Sequence, residues 1–264
     1  MTRLDTDIPE KQFQTTTLIN QLFINKSIMK KVSSALLLVA IITLPSCRKV
    51  IGHGPVITEG RSLSNFTAIN FGVPGDLYYT QDSVYKIEIQ AQENIVREIE
   101  TYLVGSELKI RVHDHVNLRA SEDIRINISA PSISALSLSG SGNLKVVQPY
   151  RASNTTLVVS GSGKMTVNQV ETDNIDATVS GSGELMVFNG IAKHEDADIS
   201  GSGRIDLLGI TAKTARTQIS GSGSIKLYVT DELNSKILGS GSVYYQGNPV
   251  VNTTISGSGR VTRL

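Results

Sequence analysis

The sequence is poor in cysteine, in net charge and in long hydrophobic runs. Its single cysteine excludes a disulfide framework and any zinc site built from cysteines. With 25 Lys+Arg against 24 Asp+Glu, the chain gives no electrostatic reason to bind nucleic acid or an anionic membrane surface. The longest apolar run, Val32 to Leu44, has 13 residues with Ser33, Ser34 and Thr43 included, which is too short to span a hydrocarbon core of about 30 Å.

Signatures of catalysis and of metal binding are also lacking. The chain contains neither the Gly-x-Ser-x-Gly elbow of serine hydrolases nor a Gly-Lys-Ser/Thr phosphate loop. His113 and His115 have the strand spacing of a metal-binding pair, but no third ligand is identifiable. We therefore predict no catalytic residue, no metal site and no cofactor.

Residues 1–46 have the features of a targeting segment. Residues 1–28 are polar without a clear period, and we interpret them as a disordered extension or as the product of a misassigned start codon. Residues 29–46 begin with a basic stretch, continue with the apolar run and end on small residues. That order is typical of a secretory signal peptide.

The signal ends in Leu44-Pro45-Ser46-Cys47, which resembles the lipobox of bacterial lipoproteins. The resemblance implies that Cys47 becomes the mature N-terminus and the site of lipid attachment. The alternative is an ordinary signal peptide followed by a free cysteine. Residues 47–60 contain three Gly and one Pro, and we predict that they form a tether.

One short glycine motif recurs through the second half of the chain. The tetrapeptide Ser-Gly-Ser-Gly begins at Ser139, Ser160, Ser180, Ser200, Ser220 and Ser256, and a degenerate copy begins at Leu238. The copies are 18 to 21 residues apart and hold 14 of the 23 glycines. A flexible linker is the simplest explanation of a Gly/Ser tract, so the residues between the copies decide whether the segment is folded.

Apolar residues flank every copy in register. The position before the motif holds Leu138, Val159, Val179, Ile199, Ile219, Ile237 and Ile255. The fifth position after its start holds Leu144, Met165, Leu185, Ile205, Ile225, Val243 and Val261, and the seventh is apolar in all copies but the last. Columns two residues apart have the period of a β-strand, and a linker would not keep them.

These columns predict an all-β fold, a parallel β-helix with rungs of about 18–21 residues and three short faces. The motif glycines could supply positive φ at a corner or leave an inward position without a side chain. The second role is favoured for both glycines, because they share the phase of the apolar columns.

We predict a single domain over residues 61–264, with the repeats in 139–264. Residues 61–138 contain several strand-like segments and would form atypical first rungs or a cap over the end of the stack. Within them, Ile95, Ile99 and Leu103 lie four residues apart, so one or two helical turns are possible in 94–104.

Over about residues 62–264 the chain resembles the putative auto-transporter adhesin, head GIN domain family. The resemblance rests on Phe66-Thr67-Ala68-Ile69, Glu107-Leu108-Lys109-Ile110, Ile124-Arg125-Ile126 and the serial Ser-Gly-Ser-Gly copies. It implies a right-handed β-helix lipoprotein of a Gram-negative envelope. The family offers no catalytic residues to carry over.

The predicted register groups charged residues on the outside of the stack. Asp176, Asp196 and Arg216 occupy the fourth position before successive motifs, and Asp198 occupies the second. Stacked carboxylates repel each other unless a base or a cation compensates them. In the structural interpretation, Arg216 and Lys236 compensate the negative charge, with Lys236 two rungs from Asp198. The alternative is a Ca²⁺ or glycan site. Lys164, Glu184 and Arg204 form a second ladder of alternating sign.

Three functional hypotheses follow. The first is a non-enzymatic protein, lipid-anchored in the outer membrane, that acts as an adhesin or binds a glycan or protein partner. The second is a polysaccharide lyase or hydrolase that would use Asp176, Asp196, Asp198 and Arg216, and the third is a periplasmic scaffold or sensor. We expect no nucleic acid partner. We also expect a monomer or a weak end-to-end dimer, because the charges of Arg260 and Arg263 disfavour pairing of another strand with the edge of the last rung.

Overall fold

Parallel strands stacked rung upon rung make up most of residues 48–264, the part of the chain that the computed structural model describes. The N-terminal part has the following elements: β1 Arg48–Ile51, β2 Val56–Gly60, β3 Ala68–Gly72, β4 Asp76–Gln81, β5 Lys86–Gln92, α1 Glu93–Val96, β6 Ile99–Val104, β7 Glu107–Val112, β8 Val116–Arg119 and β9 Arg125–Ala130. The targeting segment 1–46 and Cys47 lie outside the described residues.

The repeat part consists of strands alone. They are β10 Ala135–Gly140, β11 Asn143–Val146, β12 Tyr150–Arg151, β13 Asn154–Gly161, β14 Lys164–Val167, β15 Val170–Glu171, β16 Asn174–Gly181, β17 Glu184–Val187, β18 Gly190–Ile191, β19 His194–Gly201, β20 Arg204–Gly221, β21 Ser224–Gly239, β22 Ser242–Gln246, β23 Val250–Gly257 and β24 Arg260–Arg263. Within residues 48–264, no helix is long and apolar enough to cross a membrane.

Three parallel ladders run along the stack. Face 1 is the ladder of strands that precede the glycine motif, such as β13, β16 and β19. Face 2 is the ladder of strands that follow it, such as β14 and β17, and face 3 consists of two-residue bridges such as β15 and β18. β20 is long because it turns through all three faces. The result is a β-solenoid of about six turns, which confirms the predicted fold class.

The apolar columns form the core of the solenoid. Val179 and Leu185 are fully buried, and Val187 is 2% exposed. Each pairs in register with its counterpart in the neighbouring rung, as Val179 does with Ile199 and with Val159. Each inner rung of the repeats therefore buries its apolar side chains against the rungs above and below, whereas Ile255 in the last rung is 42% exposed. This burial is the main favourable term in the stability of a solenoid.

The two glycines of each motif have different roles. The first one turns the corner, since Gly181 has φ of +112°, a conformation that other residues rarely adopt. The second faces inward, and a Cβ at Gly183 would lie 2.5 Å from Val159 Cγ1 and 2.8 Å from the carbonyl oxygen of Gly163. The prediction of an inward position is thus correct for the second glycine and wrong for the first, because the positive φ at the corner interrupts the strand alternation.

Residues 61–138 form both a rung and a cap. β3 and β4 pair in parallel with β10 and β11, so they make a regular rung beneath the repeats. β7 and β9 pair with β3 and β4 on the other side, and the antiparallel strands β2, β5 and β6 close that end of the sheet. The predicted helix is limited to the single turn of α1, because Ile99–Val104 pairs with β7 as a hairpin around Gly105.

Residues 48–60 differ from the tether that the sequence predicts. They form β1, which pairs with β8, and β2, which pairs with β5. Val50 is buried and Ile57 is half-buried against the core, so two apolar side chains hold this segment in place. Residues 48–60 therefore belong to the folded part of the described chain.

A Gly183→Ala substitution tests the close approach of the rungs. The added methyl group would meet backbone and a buried valine, so we expect a loss of about 1–3 kcal/mol in the free energy of unfolding. The neighbouring Ser182 is exposed, and Ser182→Ala should change that free energy by less than about 0.5 kcal/mol. Urea denaturation followed by circular dichroism measures both; equal effects of the two variants would contradict this account.

Candidate functional site

Four charged residues meet on the outer surface of face 1, and we call them the charged patch: Asp176, Asp196, Asp198 and Arg216. β16, β19 and the end of β20 are three successive strands of this ladder, so Asp176 pairs with Asp196 and Asp196 with Arg216. Asp198 lies two residues further along β19 on the same side of the strand. The structure thus brings together all four residues that the sequence selects.

Arg216 provides the positive charge of the patch. Its guanidinium donates to Asp196 Oδ2 through Nε at 3.0 Å and through Nη2 at 2.6 Å, and Nη2 lies 3.9 Å from Asp198 Oδ2. Lys236 is separated from Asp198 by Gln218 in the ladder, and no ion pair joins the two within the described chain. The compensation expected from Arg216 is present, and that from Lys236 is absent in the described structure.

The carboxyls that Arg216 does not hold directly are harder to ionise. Partial burial and then the charge of Asp196 raise the pKa of Asp176, and Arg216 opposes the rise. Asp198 shows the same direction of its pKa for the same causes, burial first and Asp196 second. Carboxyls with a raised pKa favour the folded state most at acid pH and contribute less as the pH rises through their folded pKa.

Three residues of the patch, Asp176, Asp196 and Arg216, line a shallow groove of about 540 Å³ whose lining is mostly polar, and Asp198 is not part of that lining. Asn174 donates to Asn154 Oδ1 at 2.7 Å, one rung away. His194 Nδ1 is 2.7 Å from Thr214 Oγ1 on the next rung. Amides, hydroxyls, carboxylates and a guanidinium thus recur along one open face at the spacing of the rungs, an arrangement able to bind a molecule rich in hydroxyl groups.

The second charged ladder, on face 2, is a structural feature. Lys164 Nζ lies 2.9 Å from Glu184 Oε2, and Arg204 Nη1 lies 3.4 Å from Glu184 Oε1. The hydrogen bond from Lys164, opposed by partial burial and assisted by the charges of Lys164 and Arg204, lowers the pKa of Glu184. This ladder offers a control for the patch because Arg204 and Arg216 have equally exposed side chains, each 58%.

The histidine pair has no metal-binding geometry. His113 Nδ1 lies 2.8 Å from Glu100 Oε1, and Asp114 is paired with Arg111. His115 has φ of +62° and so sits in a turn beyond the strand. Among the described residues, no group of three or more His, Cys, Asp or Glu side chains could hold a metal ion.

Sequence reasoning missed one ionisable residue close behind the patch. Glu195 lies next to Asp196 on β19 but points into the solenoid, where it is 3% exposed. Its position is two residues from the inward Ala197 and four from the inward Ile199, so its orientation follows from the strand alternation. The signal that could have found it was a glutamate on the same side of the strand as Ala197 and Ile199.

Removing Arg216 should make the neighbouring carboxyls harder to ionise. In an Arg216→Ala variant we expect the pKa values of Asp176 and Asp198 to rise further, since Arg216 lowers both. The matched variant Arg204→Ala should leave these two pKa values unchanged. Carboxyl ¹³C chemical shifts followed through a pH titration measure them; unchanged values in Arg216→Ala would show that the guanidinium does not govern the patch.

Comparison with known proteins identifies the same architecture elsewhere. A family model described as putative auto-transporter adhesin, head GIN domain, matches residues 65–249. This finding confirms the resemblance that the strands and the glycine motifs carry. No curated protein matches the sequence.

Solved structures from Bacteroides and Parabacteroides species have a similar fold. A putative adhesin from Bacteroides fragilis aligns with a TM-score of 0.77 and 21% identity, over 81% of this chain and 100% of its own. A putative lipid binding protein from Parabacteroides distasonis aligns with a TM-score of 0.68 and 24% identity, over 82% and 100%. A putative adhesin from Parabacteroides merdae gives 0.68 and 25% identity, over 82% and 99%.

Proposed function

Because the chain belongs to the putative auto-transporter adhesin, head GIN domain family, we propose that it is a non-enzymatic adhesin of the cell envelope that binds glycans on face 1. We further propose that lipid on Cys47 anchors it to the outer membrane. The observation that carries the binding role is the open groove of face 1, where hydrogen-bonding side chains recur on successive rungs around the charged patch. A protein partner is the alternative ligand for the same surface.

Rigid display of polar groups favours binding to an extended polymer. The strands of face 1 are held in register by backbone hydrogen bonds, so their outward side chains are spaced at about 4.8 Å without freedom to drift. A preorganised surface loses little conformational entropy when a ligand docks. A polysaccharide lying across the rungs would therefore meet repeated donors and acceptors in fixed positions.

The charge arrangement supports binding more than catalysis. A glycoside hydrolase would use two carboxyls that flank the scissile bond, one as acid and the other as base or nucleophile. Asp196, the central carboxyl of the patch, instead accepts two hydrogen bonds from Arg216. We therefore assign Asp176, Asp196, Asp198 and Arg216 to ligand binding rather than to bond cleavage.

The binding role predicts a specific loss in one of two matched variants. Arg216→Ala should weaken binding to a glycan at least about tenfold, because a charge-assisted hydrogen bond is worth roughly 1.5–3 kcal/mol. Arg204→Ala, with the same exposure on face 2, should bind as the wild type does. A glycan array followed by interferometry on the best ligand measures this.

Three other results would overturn the proposal. Equal loss in both variants would contradict a site on face 1, and shortening of a bound polysaccharide would favour the lyase or hydrolase. Heat from Ca²⁺ in calorimetry would point to a cation site at the patch instead.

Lipid attachment predicts that Cys47 decides where the protein partitions. Cys47→Ala should move the protein from the membrane fraction to the soluble fraction of lysed cells, whereas Ser46→Ala should leave it in the membrane. Detection of both variants in the membrane would contradict anchoring at Cys47. Protease treatment of intact cells that leaves the wild-type protein whole would contradict an adhesin and favour a periplasmic scaffold.

A further inference from the structure

One carboxyl group lies inside the solenoid. Glu195 is 3% exposed, and the other buried polar residues of the described chain are uncharged: Gln92, Thr155, Thr217 and Ser235. Charged side chains are almost never fully buried without a partner, so this position calls for a physical explanation. It belongs to β19, in the middle of the repeat stack.

The surroundings of Glu195 supply nothing to bind its charge. Ile175 lies above it and Ala215 below it in register, and Ala197 is the next inward residue along the strand. Neither carboxyl oxygen has a hydrogen-bond partner in the described chain. The buried hydroxyls of Thr217 and Ser235, on the two following rungs, are joined to each other at 2.8 Å.

Every other ionisable group on the adjacent strands lies on the outside of the stack. On the strands paired with this part of β19, and on β19 itself, these are Asp176, His194, Asp196, Asp198 and Arg216. On β17 and the remainder of β20, which close the same rungs, they are Glu184, Arg204, Asp206 and Lys213. No charge therefore faces Glu195 from inside the core.

An unpaired carboxylate in such a place is costly. Transfer of an ionised carboxylate from water to an apolar interior is so unfavourable that the group takes up a proton instead. Consistent with this, burial alone raises the pKa of Glu195 well above its usual value. The neutral acid is thus the form that the folded core accommodates.

We propose that Glu195 is a proton-dependent stability switch: the solenoid is held most firmly when this carboxyl is neutral, and ionisation loosens the layers β16, β19 and β20. A carboxyl whose folded pKa exceeds its unfolded pKa stabilises the fold fully below the unfolded value. That contribution is lost as the pH rises through the folded pKa. The charged patch lies on these same three strands, so loosening of the core would also disorder the patch on face 1. The switch itself does not depend on the proposed binding function.

Melting temperatures as a function of pH test the switch. The full protein and its Glu195→Gln and Glu195→Leu variants are melted between pH 4 and pH 8 and followed by circular dichroism. Neither variant can ionise at residue 195, so the difference in Tm, variant minus wild type, should rise by at least about 3 °C from pH 4 to pH 8. The change in this difference is diagnostic even if a variant alters Tm at every pH.

A surface glutamate of the same layer gives a control of opposite sign. Glu184 has a lowered pKa because Lys164 and Arg204 stabilise its charge. The Glu184→Gln difference in Tm should therefore fall as the pH rises, not climb. A difference that is flat with pH in both Glu195 variants would overturn the proposal, and so would one that falls.

Amide hydrogen exchange shows which strands loosen when Glu195 ionises. At pH 8, amides of β16, β19 and the end of β20 should exchange more slowly in Glu195→Leu than in the wild type, while amides of β3 and β4 should exchange equally. Equal protection of all layers in the two proteins would contradict local loosening. Because these readouts involve no ligand, failure of the binding proposal would leave the result unaffected.

Discussion

The close stacking of glycine corners is the constraint on which the rest of the structure depends. At each corner the backbone of one rung donates to the glycine carbonyl of the rung before it, as Ser182 N does to Gly161 O at 2.9 Å and Glu184 N to Gly163 O at 3.0 Å. The same pattern recurs at Ser202 and Ser222. A side chain at the inward glycine would separate the rungs, so the glycines keep these hydrogen bonds short and hold all three faces in register.

Because the rungs are in register, the sequence shows which residues are neighbours in space. Once the motifs are aligned, residues at equal offsets lie on adjacent strands, which is why the contact between Asp196 and Arg216 follows from counting. The alternating ladder of Lys164, Glu184 and Arg204 follows in the same way. The fold class and the core columns could be predicted because they repeat, and each repetition is an independent check of the same periodicity. The charged patch occurs once, but its residues lie at equal offsets in that register, so it could be predicted too.

Features that occur once were beyond this reasoning. The cap strands β1, β2 and β5 have no counterpart in the repeats, so no column marks their partners. β1 pairs with β8, β2 with β5 and β5 with β9, and each of these pairings joins segments distant in sequence. The segment 48–60 contains enough Gly and Pro to suggest a tether, yet Val50 and Ile57 find apolar surface that only the folded cap provides. At the first glycine of each motif, the positive φ interrupts the alternation of inward and outward side chains. Counting residues in twos assumes that this alternation continues.

Glu195 shows a different limit of sequence reasoning and a consequence of solenoid architecture. The columns beside the motif are uniformly apolar, whereas the column five residues before it mixes Thr155, Ile175, Glu195 and Ala215, so its inward phase is masked by composition. In a solenoid each rung is stabilised chiefly by its two neighbours. The loss of stability caused by a charge buried in one rung is therefore local, and it affects β16, β19 and β20. The same layers carry the charged patch outside, so proton uptake within the core and the order of the outer surface are coupled through three strands.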